Sequence, residues 1–320
     1  MISDDQEIRR AAAILRGGGI VAFPTETVYG LGADAFNPLA VARIFEIKNR
    51  PFFDPLILHI ADFNDLSKLV MDIPIHAERL IHRFWPGPLT LVLSKKDEVP
   101  DIVTAGLPTV AVRMPQHPIA LDLIQKAGCP IAGPSANPFG YVSPTTAGHV
   151  REQLGDQVDL ILDGGPCEVG LESTIISFIG EKPRLLRPGG LPLEEVEPII
   201  GKVEMNLIEE SGPSSPGRLP KHYAPQTPVV VDWREKDLDN YRNKKVGLLA
   251  FREVNVSLPF QQVELLSPKG DLREAAANLF AAIRRLDALT LDFILAEPVP
   301  EVGLGRAIMD RLRRASHREG

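Results

Sequence analysis

Residues 4–32 read DDQEIRRAAAILRGGGIVAFPTETVYGLG, and this stretch sets the fold. Ile8, Ala11, Ala12 and Leu15 recur at helical spacing on one face, and Gly17-Gly18-Gly19 behind them is a stop signal. An amphipathic helix over 4–16 is predicted. The apolar run over 20–23 follows at once and reads as a strand. Working outward, strand patterns at 56–60, 89–93, 109–113, 130–132, 160–162 and 174–178 alternate with helical patterns at about 38–48, 74–84, 117–127 and 144–154. Such alternation predicts an α/β sheet with helices packed on it. The pairs 89–93 with 109–113 and 174–178 with 184–187 are joined by segments too short for helical crossovers, so part of the sheet should be antiparallel.

From about 205 the periodicity lapses into NLIEESGPSSPGRLPKHYAP, rich in proline, glycine and serine. This predicts a first domain over 1–205, an interdomain linker over 206–226 and a C-terminal domain over 227–320. A second alternation fills the last part: strands at 228–231, 246–251 and 292–296, a helix at 271–288 and a basic helix at 305–316. It reads as a smaller, Rossmann-like α/β domain.

The chain has 320 residues, 35 of them basic and 42 acidic, for a net charge of −7, the wrong sign for a broad nucleic-acid footprint. Any phosphate must be held in a focused pocket. No apolar run approaches the ~20 residues of a bilayer span, and the acidic, amphipathic N-terminus is unlike a secretory signal. The two cysteines, Cys129 and Cys167, do not form a CxxC pair, which argues against a thiolate zinc site or a disulfide framework. A cytoplasmic location is expected.

There is no GxxxxGK[ST] motif, and the glycines at 17, 19, 30 and 32 are better read as turn formers than as a dinucleotide loop. Phe23-Pro24-Thr25-Glu26-Thr27 places hydrogen-bonding side chains just past a buried strand, either as a turn or as ligand contacts. Lys48 and Arg50 close a helix that Pro51 stops, and His59 lies inside an apolar strand. Arg113 ends the apolar run TVAVR, where a buried guanidinium needs a carboxylate or phosphate partner. Gly133-Pro134-Ser135-Ala136-Asn137 follows another strand. Ser143-Pro144-Thr145-Thr146 resembles a helix cap, and Glu172-Ser173-Thr174 and Arg187-Pro188-Gly189 flank a short antiparallel pair. Cations and hydroxyls gathered at element ends suit a nucleoside triphosphate together with a small acid.

FPTETVYGLG, KNRP, PLILHI, AVRMP, PSAN, SPT, LESTI and RPGG, in this order, resemble the YrdC-like family, and the SPG…HYAP linker with its second domain is similar to the two-domain threonylcarbamoyl-AMP synthases. The resemblance implies a twisted mixed sheet with a concave cationic cavity. It implies condensation of L-threonine, bicarbonate or CO2 and ATP into L-threonylcarbamoyl-AMP and pyrophosphate, Mg2+ arriving with ATP and no metal held by the protein alone. The product would pass to the tRNA threonylcarbamoyl transferase machinery, with no membrane and no stable nucleic-acid binding expected. By position, Lys48, Arg50 and Arg113 would be catalytic, and Thr27, His59, Arg113, Gly133 and Ser173 would bind threonine. ATP would be held by Lys48, Arg50, Asp54, Thr109, Ser135, Asn137, Ser143, Arg187 and Tyr223, with the linker as a lid. Asp54 stands where the family commonly has asparagine. Two other readings are an RNA-binding protein using the cavity and the basic helix with Arg306, Arg311, Arg313 and Arg314, and a carbamoyl transferase of the hydrogenase-maturation type.

Overall fold

The structure is a computed structural model that describes residues 2–205, 222–231, 233–234, 239–253 and 260–317. Helix α1 (Asp5–Arg16) begins where Asp4 accepts a hydrogen bond from the Glu7 N–H, and it buries Ile8, Ala11, Ala12 and Leu15 as their spacing predicts. The further helices of the first part are α2 (Pro38–Lys48), α3 (Phe63–Leu69), α4 (Ile75–Phe84), α5 (Asp101–Thr104), α6 (Pro118–Ala127), α7 (Ala147–Leu154) and α8 (Leu193–Ile200). Its strands are β1 (Val21–Phe23), β2 (Gly30–Asp34), β3 (Ile57–His59), β4 (Leu89–Ser94), β5 (Thr109–Arg113), β6 (Ile131–Ala132), β7 (Leu160–Ile161), β8 (Thr174–Ser177), β9 (Arg184–Arg187) and β10 (Glu204–Met205).

These strands form one mixed sheet in the order β10-β9-β8-β4-β5-β3-β6-β2-β1-β7. The pairs β4–β5 and β8–β9 are antiparallel as predicted, although the β4–β5 connection does hold the short helix α5, whereas β3–β5 and β4–β8 are parallel. One finding departs from the sequence reading. Gly30 and Gly32 lie in strand β2, where a Cβ would come within 2.9 Å of the Phe23 ring at Gly30 and 2.7 Å of Ile131 at Gly32. Their glycine identity serves close packing between neighbouring strands rather than a turn.

A second sheet of four parallel strands follows the order β11 (Val229–Val230), β14 (Phe293–Ala296), β12 (Val246–Ala250), β13 (Gln262–Leu265). Helices α9 (Leu272–Asp287) and α10 (Gly305–Ser316) pack with it. The apolar core around α9 and α10 also takes in Val28, Val142 and Leu171 of the first part and Tyr223, so the two parts share a continuous buried surface. Of the expected linker over 206–226, residues 206–221 lie outside the described residues. His222 and Tyr223 are buried, and the Ala224 N–H donates to the Gly140 carbonyl at 2.8 Å. Among the described residues, no helix is long and apolar enough to cross a membrane.

Candidate active site

One cavity collects most of the predicted residues: Thr27, Arg50, His59, Arg113, Gly133, Ser135, Ser173, Arg187 and Tyr223 all line it. It lies over one face of the sheet. Parallel β3 and β5 are in register with His59 opposite Arg113, and Ile57, two residues before His59, shares its face and lines the same cavity. The loops after β1 and β6 and before β8 supply the walls.

Arg113 is held from three sides. Its Nη1 donates to Thr27 Oγ1 at 2.8 Å, its Nε donates to the Gly87 carbonyl at 3.2 Å, and its Nη2 is ion-paired with Glu26 Oε1 at 2.7 Å. Both partners in that pair are buried. The Thr25–Val28 turn that presents Glu26 and Thr27 is tied by Thr25 Oγ1, which donates to the Val28 carbonyl at 2.6 Å and accepts from the N–H groups of Thr27 and Val28. The segment is thus a turn and also an arginine holder. Glu26 is a residue that the assignment by resemblance passed over, although the burial of Arg113 called for a carboxylate or phosphate partner.

Arg187 ends β9 and donates from Nε and Nη2 to the Ser173 carbonyl at 3.2 and 3.0 Å, and from Nη2 to Ser173 Oγ at 3.2 Å. Ser173 Oγ in turn shares a hydrogen bond of 2.7 Å with Thr90 Oγ1. Gly189 permits this contact: a Cβ there would lie 2.4 Å from the Glu172 carbonyl oxygen and from Ser173 C, so only glycine lets the RPGG segment lie against residues 172–174. Ser143 is buried outside the cavity lining and donates to Glu172 Oε1 at 2.5 Å. Burial raises the Glu172 carboxyl, but Arg311, Arg187 and Ser143 together bring it below its ordinary value.

Other predicted residues are placed differently. The Lys48 ammonium is wholly buried and donates to the carbonyls of Ser135 and Asn137, so it ties the PSAN loop in place and does not line the cavity. Burial, with Arg50 nearby, pushes its pKa well down. Asp54 is also outside the lining and forms a buried ion pair with Arg50 at 2.9 Å. Burial pushes the Asp54 carboxyl up despite Arg50. Asn137 donates to the Pro138 and Tyr141 carbonyls at 2.8 and 2.9 Å and shapes the same loop. Thr109 pairs with Ser94 at the start of β5, four residues and about 13 Å from Arg113, and is not brought to the cavity.

Tyr223 has left-handed backbone geometry, with φ of 61°. Its ring stacks on Phe280 with centroids 5.5 Å apart and touches the His222 ring at 4.0 Å. Burial pushes the Tyr223 hydroxyl up to about 12 and holds the His59 and His222 imidazoles down to about 3. Both histidines are therefore neutral around pH 7. The arginines of the basic helix, on which the alternative RNA-binding reading draws, are paired with carboxylates. Arg306 pairs with Glu194 at 3.1 Å, Arg313 with Glu301 at 2.5 Å and Arg314 with Asp310 at 3.0 Å, while Arg311 is fully buried on Glu172.

A family model described as telomere recombination matches residues 13–189, and one described as the C-terminal domain of threonylcarbamoyl-AMP synthase matches residues 191–317. Threonylcarbamoyl-AMP synthase of Pyrococcus abyssi is 48% identical, covering 98% of this chain and 95% of that protein. The Bacillus subtilis enzyme of the same name is 44% identical, covering 98% and 94%. The crystal structure of P. abyssi Sua5 complexed with L-threonine superposes with a TM-score of 0.92 at 47% identity, covering 99% of this chain and 96% of that one. In sequence and in fold, over nearly its whole length, the chain belongs to the threonylcarbamoyl-AMP synthase family.

Proposed function

We propose that the cavity condenses L-threonine, bicarbonate or CO2 and ATP into L-threonylcarbamoyl-AMP, with Arg113 holding the threonine carboxylate. The observation that carries this assignment is the arginine's residual capacity. A guanidinium has five N–H groups; the Gly87 carbonyl and Thr27 Oγ1 accept from two, and Nη2 faces Glu26 Oε1 at 2.7 Å without an aligned hydrogen bond, so donors remain on both terminal nitrogens. That pair forms the fork that fits a carboxylate. His59, Gly133, Ser173 and Thr27 border the same space. The nucleotide would lie toward Arg50, Ser135, Arg187 and Tyr223, with Lys48 and Asn137 acting through the loop that they shape.

The chemistry needs no protein nucleophile. The threonine amine attacks the CO2 carbon and loses a proton to give a carbamate; its oxygen attacks the α-phosphorus of ATP, and pyrophosphate leaves. From bicarbonate, one water is also lost. Positioning and stabilisation of phosphate charge by fixed arginines then carry the catalysis. Mg2+ enters as part of the ATP substrate. Glu26, Asp54 and Glu172 are each committed to an arginine, so phosphate oxygens and water would supply most of its ligands. The product would be handed, in the cytoplasm, to a tRNA-modifying transferase.

The test is to mix protein, ATP, Mg2+, bicarbonate and one amino acid at a time, and to measure pyrophosphate. Release that depends on threonine and bicarbonate together supports the reading, and release indifferent to the amino acid rejects it.

A further inference from the structure

Tyr223 is held from both domains. Its φ of 61° lies in the left-handed region, a costly conformation for a residue other than glycine and one that persists only where the surroundings impose it. The backbone is tied to the first domain, through the bond from the Ala224 N–H to the Gly140 carbonyl at 2.8 Å. The ring is held by the second. It stacks on Phe280 of α9 with centroids 5.5 Å apart and planes 24° from parallel, and the Arg311 guanidinium of α10 lies over it at 5.1 Å.

Phe280 itself has a fixed station. It is fully buried in the middle of α9, and residues on the same face, about one turn to either side, seat that helix against the first domain. Toward the N-terminus, a Cβ on Gly170 would lie 2.5 Å from the Ala277 Cα, so only glycine lets the helix come this close. Toward the C-terminus, Arg284 Nη2 donates to the Val142 carbonyl and to Gln153 Oε1, the latter at 2.8 Å. Ala277, Phe280 and Arg284 thus form a row whose outer members fix where the middle one stands. What rests on Phe280 is a cavity residue with a spare donor: Tyr223 lines the cavity, and its buried Oη has no hydrogen-bond partner among the described residues. Burial pushes that hydroxyl up to about 12, so it carries its proton at neutral pH.

We propose that Phe280 is a positioning residue for the nucleotide: stacked on Tyr223, it sets where that hydroxyl stands in the cavity, so a helix of the C-terminal domain governs ATP binding without touching ATP. This rests on the reading that Tyr223 faces ATP.

The experiment measures ATP and L-threonine affinities by calorimetry on the full-length chain for wild type, Tyr223→Phe, Phe280→Leu and the double variant. Phe280→Met, closer in volume, takes the place of Phe280→Leu if the smaller side chain prevents folding. Tyr223→Phe should weaken ATP by about 10-fold, the low end for one hydrogen bond to a charged group. Phe280→Leu should weaken ATP by about 5-fold or more, through a misplaced hydroxyl, and move threonine by less than about 3-fold. In the double variant the hydroxyl that Phe280 places is gone, so ATP should bind no more than about 2-fold weaker than to Tyr223→Phe. A merely structural role for Phe280 would make the two losses multiply, or would weaken threonine as much as ATP, and either result overturns the inference. So does a folded Phe280→Leu that binds ATP within 2-fold of wild type. Wild-type protein that fails to bind ATP overturns the underlying reading and this inference with it, whereas ATP binding that Tyr223→Phe leaves unchanged overturns the inference alone.

Discussion

Replacing Arg113 by alanine separates the substrate contact from the structural contact of one side chain. One N–H on each terminal nitrogen, beyond the two groups bonded to Gly87 and Thr27, would make two charge-assisted bonds to the threonine carboxylate. At the lower end of ~1.5 kcal/mol each, their loss is ~3 kcal/mol, or roughly 150-fold in threonine affinity. ATP affinity should change by less than about 3-fold, because the proposed nucleotide contacts lie elsewhere. The same substitution leaves Glu26 buried without its cation, which should cost ~3–5 kcal/mol of stability. Glu26→Gln with Arg113→Ala removes both charges and should recover most of that stability without recovering threonine binding. Calorimetric titration with L-threonine and urea melts on the two variants measure the two effects independently. A folded Arg113→Ala protein that binds threonine within 3-fold of wild type would refute the assignment.

Three further perturbations follow from the same geometry. His59 and His222 are held to about 3 by burial, against an ordinary value near 6.5, so the unfolded chain binds more protons between these limits and stability falls as pH drops below about 6.5. Each should contribute about 2 kcal/mol of loss between pH 7 and 5, and His59→Gln should flatten the curve by about that much in urea melts; an unchanged slope refutes it. Lys48→Met leaves the Ser135 and Asn137 carbonyls without their buried donor, which should cost ~2–4 kcal/mol of stability and weaken ATP through the loop; a melt unchanged within 0.5 kcal/mol, roughly the limit of such comparisons, argues against the tie. Tyr223 Oη has no hydrogen-bond partner among the described residues, so Tyr223→Phe should leave stability nearly unchanged, whereas Tyr223→Ala, which empties a buried ring site against Phe280, should cost ~3–5 kcal/mol in a thermal or urea melt.

The long periodic elements were legible because burial and spacing agree in them. α1 and α10 form where the helical pattern ends at a glycine or begins after one, and β8 and β9 pair antiparallel because a crossover helix does not fit between them. Short elements were not legible. α3 buries only Leu66 and Leu69, too few positions to define a period, and β13 is a polar segment with exposed residues. β2 was hidden by its two glycines, whose reason lies in Phe23 and Ile131, residues from neighbouring strands. The site divides in the same way. Arg113 announced itself as a cation inside an apolar strand. Its partner Glu26 could have been found by asking which carboxylate serves it, but Glu172 and Arg311 are 139 residues apart and belong to different sheets' surroundings, a contact that no local pattern encodes.

Three arginines near the cavity carry their own carboxylates: Arg50 has Asp54, Arg113 has Glu26 and Arg311 has Glu172. An acidic chain that must bind a polyphosphate could instead bury unmatched cations, but each would oppose folding until the substrate arrived. Pairing lets the site assemble in advance. It also makes direction, rather than net charge, the quantity that the site controls, since a carboxylate fixed beside a guanidinium biases where its N–H groups point. Removing any one of these carboxylates should therefore loosen the geometry of its arginine more than it strengthens the local positive potential. Glu26→Gln is the cleanest case, because the amide retains an acceptor for Arg113 but loses the charge. If orientation governs, threonine affinity should fall in that variant even though the cavity has become more positive. A rise in affinity would show instead that net charge decides.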